Sequence, residues 1–187
     1  MITTETGWTE AQVQSELAEA IKACTREVFG TMLNLELAPG DTFVESSEAA
    51  PASGVVSIIG LAGAWVGSGS LSCSARFACQ MASHLLLTEY EAVDEDVLDA
   101  VAEVTNMIIG NVKTGLENHL GAMGLSTPTV IYGRNFQTRG ARNQEWTVVP
   151  FLLDNERMCV QMCIAPNPDA GQRAMRPGFP IPHVLNI

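Results

Sequence analysis

Between Val97 and Leu120 the apolar residues Val97, Val101, Val104, Ile108 and Val112 recur at helical intervals, with Ile109 and Leu116 beside them. A helix turns about 100° per residue, so these side chains form one continuous stripe. The segment predicts a long amphipathic helix, and it restricts the fold more than any other feature: such a stripe must bury itself against a broad apolar surface built elsewhere in the chain. Asp94 is placed to cap the first turn, and Glu95 and Asp96 complement the positive end of the helix dipole. Gly121 and Gly124 are expected to stop the helix.

The surface that receives it is legible as strands. Val55 to Leu61 and Trp65 to Ser74 are β-type runs separated by Ala62, Gly63 and Ala64, which predicts a hairpin. Pro128 opens a further run from Thr129 to Gly133, and a polar loop carries Arg134 to Asn143. Two more runs, Trp146 to Leu153 and Met158 to Ala165, flank a turn at Asp154, Asn155 and Glu156. Upstream, Thr9 and Gln12 resemble a capping box, and Val13, Leu17, Ile21, Cys24, Val28 and Met32 predict a first long helix over roughly 10 to 33. Phe77, Met81 and Leu85 mark a shorter helix before the acidic stretch Glu89 to Asp96. Helix and strands thus occur twice in the same order, which predicts an α+β fold made from a duplicated helix-plus-strands unit: a largely antiparallel sheet covered by two long helices and a shorter one.

Composition removes several classes of function. The chain of 187 residues with 47% hydrophobic content suits one domain with a sizeable core. Its formal net charge of −11 repels nucleic acid. No apolar run is long enough to span a membrane, and Met1 to Trp8 does not read as an export signal. The five cysteines, an odd number without a CxxC pair, fit buried thiols in a reducing cytoplasm. Met158, Cys159, Met162 and Cys163 alternate along a strand, so the two residue types point to opposite faces and do not make a soft-metal site. His84, His119 and His183 lie in separate segments with no zinc spacing, and Gly60, Gly63, Gly67 and Gly69 open no phosphate-binding helix. Pro166, Pro168, Pro177, Pro180 and Pro182 predict an extended tail over 166–187 after a domain over 1–165.

The side of the second long helix away from its apolar stripe carries Glu103, Asn106, Gly110, Lys113 and Glu117. Glu103 and Asn106 are one turn apart, so a carboxylate and a carboxamide are presented together. An E-x-x-N pair on a helix is by itself common as plain solvated surface. The wider string Ala102-Glu103-Val104-Thr105-Asn106-Met107-Ile108-Ile109-Gly110-Asn111-Val112-Lys113, however, resembles the signature helix of the CheC/CheX/FliY chemotaxis phosphatases. Ser57-Ile58-Ile59-Gly60-Leu61-Ala62-Gly63 and Ser126-Thr127-Pro128-Thr129-Val130-Ile131-Tyr132-Gly133 follow the family's order, and the resemblance runs over roughly residues 15 to 165. On the first helix Arg26-Glu27-Val28-Phe29-Gly30 lines up with Ala102-Glu103-Val104-Thr105-Asn106, but Gly30 stands where the amide would be. One site per chain is similar to the CheX branch.

The resemblance implies a CheC-like fold and a phosphatase that hydrolyses the aspartyl phosphate of a CheY-like response-regulator receiver domain. Its catalytic residues would be Glu103, docking to the active-site Lys of the receiver, and Asn106, orienting the attacking water. It implies no cofactor of the chain's own, Mg²⁺ being supplied by the phosphorylated receiver, and a cytoplasmic homodimer. The competing reading is a non-catalytic receiver-docking or scaffolding module of a two-component or flagellar-switch system.

Overall fold

The computed structural model describes residues 10–46, 52–136 and 145–169. Helix α1 (Glu10–Val28) runs into a π-helical turn at Phe29–Leu33. Strands β1 (Ala38–Pro39) and β2 (Phe43–Ser46) follow, then the hairpin β3 (Ala52–Gly63) and β4 (Trp65–Cys73), helix α2 (Ala75–Leu86) and helix α3 (Glu95–Leu120). Strands β5 (Met123–Leu125) and β6 (Thr129–Phe136) and the hairpin β7 (Glu145–Leu153) and β8 (Glu156–Pro166) complete it. Every pairing is antiparallel, in one eight-stranded sheet ordered β1-β7-β8-β4-β3-β5, with β2 also on β7 and β6 also on β3.

The duplication is visible in the pairing. Ser70 of β4 lies opposite Gln161 of β8, and Cys73↔Met158 is mirrored by Gly67↔Ile164 about that point. The side chains at the centre bond to each other, Gln161 Nε2 donating to Ser70 Oγ at 3.2 Å. Each half lends its short strands to the other: β1 and β2 extend the β7 side, and β5 and β6 extend the β3 side. Even the joining loops correspond, since Gly40 N–H donates to Pro150 O at 2.8 Å as Ser126 N–H donates to Gly60 O at 2.9 Å. With edge strands exchanged, neither half has a complete sheet of its own.

The apolar stripe of α3 is buried as expected, Val97, Val101, Val104, Ile108 and Val112 all being 0% exposed. They pack with α1, α2 and the sheet face bearing Val55, Ile59, Leu71, Val149, Phe151, Met158, Val160 and Met162. The approach is close: a Cβ at Gly69 would lie 2.7 Å from Ile109 Cδ1. Asp94 caps α3, its Oδ1 accepting the Val97 N–H at 3.0 Å. Asp94→Ala should therefore cost about 1 kcal/mol, read as a lower urea midpoint with an unchanged slope.

Several expectations are corrected. The first helix does reach 33 as expected, but its end is not α-helical: it widens at Phe29 into the π turn containing Gly30 and ends with Asn34 in the left-handed region (φ 53°), whose N–H bonds Phe29 O. Gly121 alone stops α3, since it takes φ 81° and donates its N–H to Glu117 O at 2.9 Å, whereas Gly124 sits inside β5 opposite Ala62. Strand β6 extends through Phe136 into what reads as loop, because β3 begins early enough, at Ala52, to pair with it. Thr9 of the proposed capping box lies outside the described residues, as does His183. Met158 and Met162 are buried in the core, as strand alternation requires, and the cysteines are unbridged. Burial, with the Glu156 carboxylate and Cys79 nearby, pushes the Cys73 thiol up to about 12. His84 ties α2 to the π turn, its Nδ1–H donating to Leu33 O at 2.9 Å. Among the described residues no helix is long and apolar enough to cross a membrane.

Candidate active site

Glu103 is exposed and Asn106 half-buried, one turn apart on α3. They line an open depression of about 370 Å³ whose other residues are Asp99 and Ala102 on the same helix and Ser126, Thr127 and Pro128 between β5 and β6. Asp99 was missed in the sequence, although it lies one turn before Glu103 on the same side of the helix. The Ser126–Pro128 segment counts in the sequence only towards the family resemblance; that it forms a wall beside Glu103 and Asn106 had no local signal, because only tertiary structure brings it to α3.

That wall is firmly seated. Ser126 N–H donates to Gly60 O, Gly60 N–H donates to Ser126 Oγ at 2.9 Å, and the Ser126 hydroxyl donates to Thr127 O at 2.9 Å. The rest of the polar side of α3 is not free surface. Leu125 packs over Gly110, where an added Cβ would meet its Cδ1 at 3.7 Å. Lys113 Nζ donates to Glu117 Oε1 at 2.9 Å and to Met123 O at 3.1 Å, and Met123 N–H donates to Glu117 Oε1 at 2.8 Å. The Lys113 ammonium and the Met123 N–H hold the Glu117 carboxyl below the usual carboxylate range. Lys113, legible in sequence as a solvated residue that could reach a partner, is spent inside the chain. Of the five residues on that side, Glu103 and Asn106 are the two that face the depression.

The depression offers one carboxylate pair of neighbours, Asp99 and Glu103, and one carboxamide; among the described residues no lysine, histidine or cysteine lines it. Asn106 can accept or donate a hydrogen bond without bringing charge. A larger hollow of about 750 Å³ lies between the start of α2 and the β7–β8 turn. Three of its polar residues are engaged with neighbours, Glu156 accepting from Ser74 Oγ at 2.5 Å and facing Arg76 at 3.7 Å, and Tyr90 OH donating to Asp96 at 3.2 Å. Size does not make it the site, since it holds neither Glu103 nor Asn106. In the other half of the fold the loop after Gly40 corresponds to the wall, but Glu27 on α1 is followed by Gly30 in the π turn, around which an added Cβ would meet nothing within 4 Å among the described residues. Gly30 supplies no carboxamide at the position that corresponds to Asn106.

The family profile for chemotaxis phosphatase CheX matches residues 55–152. The chain belongs to the CheX family. It is 30% identical over 129 residues to the CheY-P phosphatase CheX of Thermotoga maritima, a match spanning 68% of this chain and 82% of that one. Among solved structures, the chemotaxis protein CheX of Vibrio vulnificus superposes with a TM-score of 0.72 at 26% identity, covering 80% of this chain and 99% of the other. CheX in the CheX–CheY–BeF₃–Mg²⁺ complex of Borrelia burgdorferi superposes with a TM-score of 0.66 at 31% identity, covering 78% and 96%. The matched CheX segment contains the β3–β4 hairpin from Val55 on, all of α3 and the Ser126–Pro128 wall, so the depression lies wholly within it.

Proposed function

We propose that this CheX-family chain hydrolyses the aspartyl phosphate of a CheY-like receiver domain, with Asn106 orienting the attacking water and Glu103 docking to the receiver's active-site Lys. The observation that carries the reading is the juxtaposition of Glu103 and Asn106 at the open depression, while Lys113 and Glu117 on the same helix are turned to internal bonds. The Borrelia relative supports the partner class: it is found with CheY, Mg²⁺ and beryllofluoride, which stands in for a phosphoryl group. The receiver brings the Mg²⁺ and a Lys around the phosphoryl group, so what this chain adds is a positioned water.

Asn106 would hold that water in line with the phosphorus through its carbonyl oxygen or its amide. The water oxygen bonds to phosphorus as the bond to the aspartyl oxygen breaks; the receiver regains its carboxylate, and the water's proton leaves with inorganic phosphate or passes to solvent. Because the carboxamide is neutral it does not repel the phosphoryl oxygens, which a carboxylate there would do. Glu103, charged and exposed, suits a charge-assisted bond to the receiver Lys that fixes α3 over the phosphoryl group.

The chain is further read as a cytoplasmic homodimer. Among the described residues β2 and β6 each pair on one side only, leaving backbone groups for strand addition. Residues 1–165 are taken as the phosphatase unit and 166–187 as its Pro-rich extension; the junction is tied down, since Pro166 pairs with Trp65 and Asn167 N–H donates to Ala64 O at 3.0 Å. The test is the decay of a phosphorylated receiver from the same genome. Acceleration by the wild-type chain supports the phosphatase; binding of the phosphorylated receiver without acceleration favours the docking module.

A further inference from the structure

We propose that Lys113 and Glu117 are positioning residues for the phosphatase reaction, acting through strand β5 to set the distance between the Ser126–Pro128 wall and the Glu103–Asn106 pair. The inference rests on the phosphatase reading above. Both backbone polar groups of Met123 are taken by α3: its N–H by Glu117 Oε1 at 2.8 Å and its C=O by Lys113 Nζ at 3.1 Å, the two side chains bonding each other at 2.9 Å. The Met123 side chain is 5% exposed, so the strand is held from both its backbone and its core side. Three residues later the chain meets its second anchor, the reciprocal pair of bonds between Ser126 and Gly60. The segment that forms the wall is thereby suspended between the helix that carries Glu103 and Asn106 and the strand β3 that lies across from it.

An exposed lysine–glutamate pair four apart on a helix contributes only a few tenths of a kcal/mol and needs no backbone partner. Here the lysine and glutamate side chains are 18% and 26% exposed and are aimed at one residue of a three-residue strand that pairs with β3 only from Leu61 to Gly63. So short a strand is poorly fixed by its ladder. The clamp supplies the missing constraint and refers it to the helix bearing the site. A water held for in-line attack is sensitive to displacements of about 1 Å, which can cost about a hundredfold in rate.

The experiment compares wild type, Glu117→Ala, Glu117→Gln, Ser126→Ala and Asn106→Ala on a receiver phosphorylated from acetyl phosphate with Mg²⁺, with KM and kcat separated and affinity read on the beryllofluoride-activated receiver. Glu117→Ala is expected to lower kcat by about ten- to a hundredfold with KM and affinity within about twofold of wild type. Glu117→Gln keeps an acceptor for the Met123 N–H and should recover most of the rate. Ser126→Ala, which leaves the clamp intact, should also lower kcat, and the double variant with Glu117→Ala should lose less than the product of the two because both act on one wall. If Glu117→Ala does not fold, Lys113→Met gives the same reading through the Met123 carbonyl. Wild-type activity with an unchanged kcat in the folded variants, or a loss confined to KM, overturns the inference. Absence of acceleration by wild type, with Asn106→Ala indistinguishable from it, removes the phosphatase reading itself.

Discussion

Asn106→Ala is expected to return the decay of the phosphorylated receiver to its spontaneous rate, a loss of about a hundredfold or more in kcat, with the fold intact. The two effects separate because Asn106 is half-buried and its side chain makes no hydrogen bond among the described residues, and alanine is the better helix former by roughly 0.5 kcal/mol. The melting temperature should hold or rise slightly while catalysis disappears, which no general loss of structure can imitate. Glu103→Ala should behave differently. It removes a charged docking group and leaves the carboxamide, so the loss is expected mainly in affinity, about tenfold or more, as befits one charge-assisted bond of roughly 1.5–3 kcal/mol. The pair is read by stopped-flow decay of the phosphorylated receiver and by binding of the beryllofluoride-activated form. If Asn106→Ala kept its rate, the water-orienting role would be lost, and if Glu103→Ala lowered kcat with affinity unchanged, its docking role would have to be replaced by one at the reacting atoms.

The largest stability effect should come from Gly67→Ala. A Cβ there would stand 1.9 Å from Cys163 O and 2.9 Å from Ile164 Cα, and both of those are backbone atoms of β8, which cannot turn aside as a side chain can. Strands β4 and β8 are the central pair on which the two halves of the fold meet, so a shift there is passed to both. The cost is expected to be about 3 kcal/mol or more, a large part of the roughly 5–15 kcal/mol by which a domain is stable. Gly115→Ala is the natural control: it makes the same change on the exposed side of α3, where an added Cβ meets nothing within 4 Å, and it should stabilise by about 1 kcal/mol. Urea denaturation should move the two midpoints in opposite directions. A Gly67→Ala midpoint equal to wild type would show that the β4–β8 contact relaxes far more easily than backbone against backbone allows.

The elements that were legible are those whose signal is contained in consecutive residues. The α3 stripe and its Asp94 cap, the β3–β4 and β7–β8 hairpins and the second helix all repeat a period or end on a turn. Strand β5 was not legible: three residues, Met123, Gly124 and Leu125, are too few to show alternation, and a glycine at the middle reads as a stop. The π turn at Phe29–Leu33 was hidden for a related reason, since a single widened turn leaves the apolar spacing of a helix nearly unchanged. On α3 the polar side read as one exposed strip from Glu103 to Glu117, yet β5 covers its second half.

What the sequence determined by itself is local: which segments are helix or strand, that the order occurs twice, and that α3 presents a carboxylate and a carboxamide one turn apart while the first helical segment has Gly30 in the corresponding place. Tertiary structure alone decided that the halves exchange edge strands, that Lys113 and Glu117 grip Met123, and that Ser126 to Pro128 face Glu103 and Asn106. The reason is separation along the chain. The bond that seats the wall joins Gly60 to Ser126 across 66 positions, and no periodicity or spacing in either segment records which distant backbone it will meet; that choice is made when the apolar face of α3 is buried and the strands must satisfy their remaining hydrogen bonds against one another.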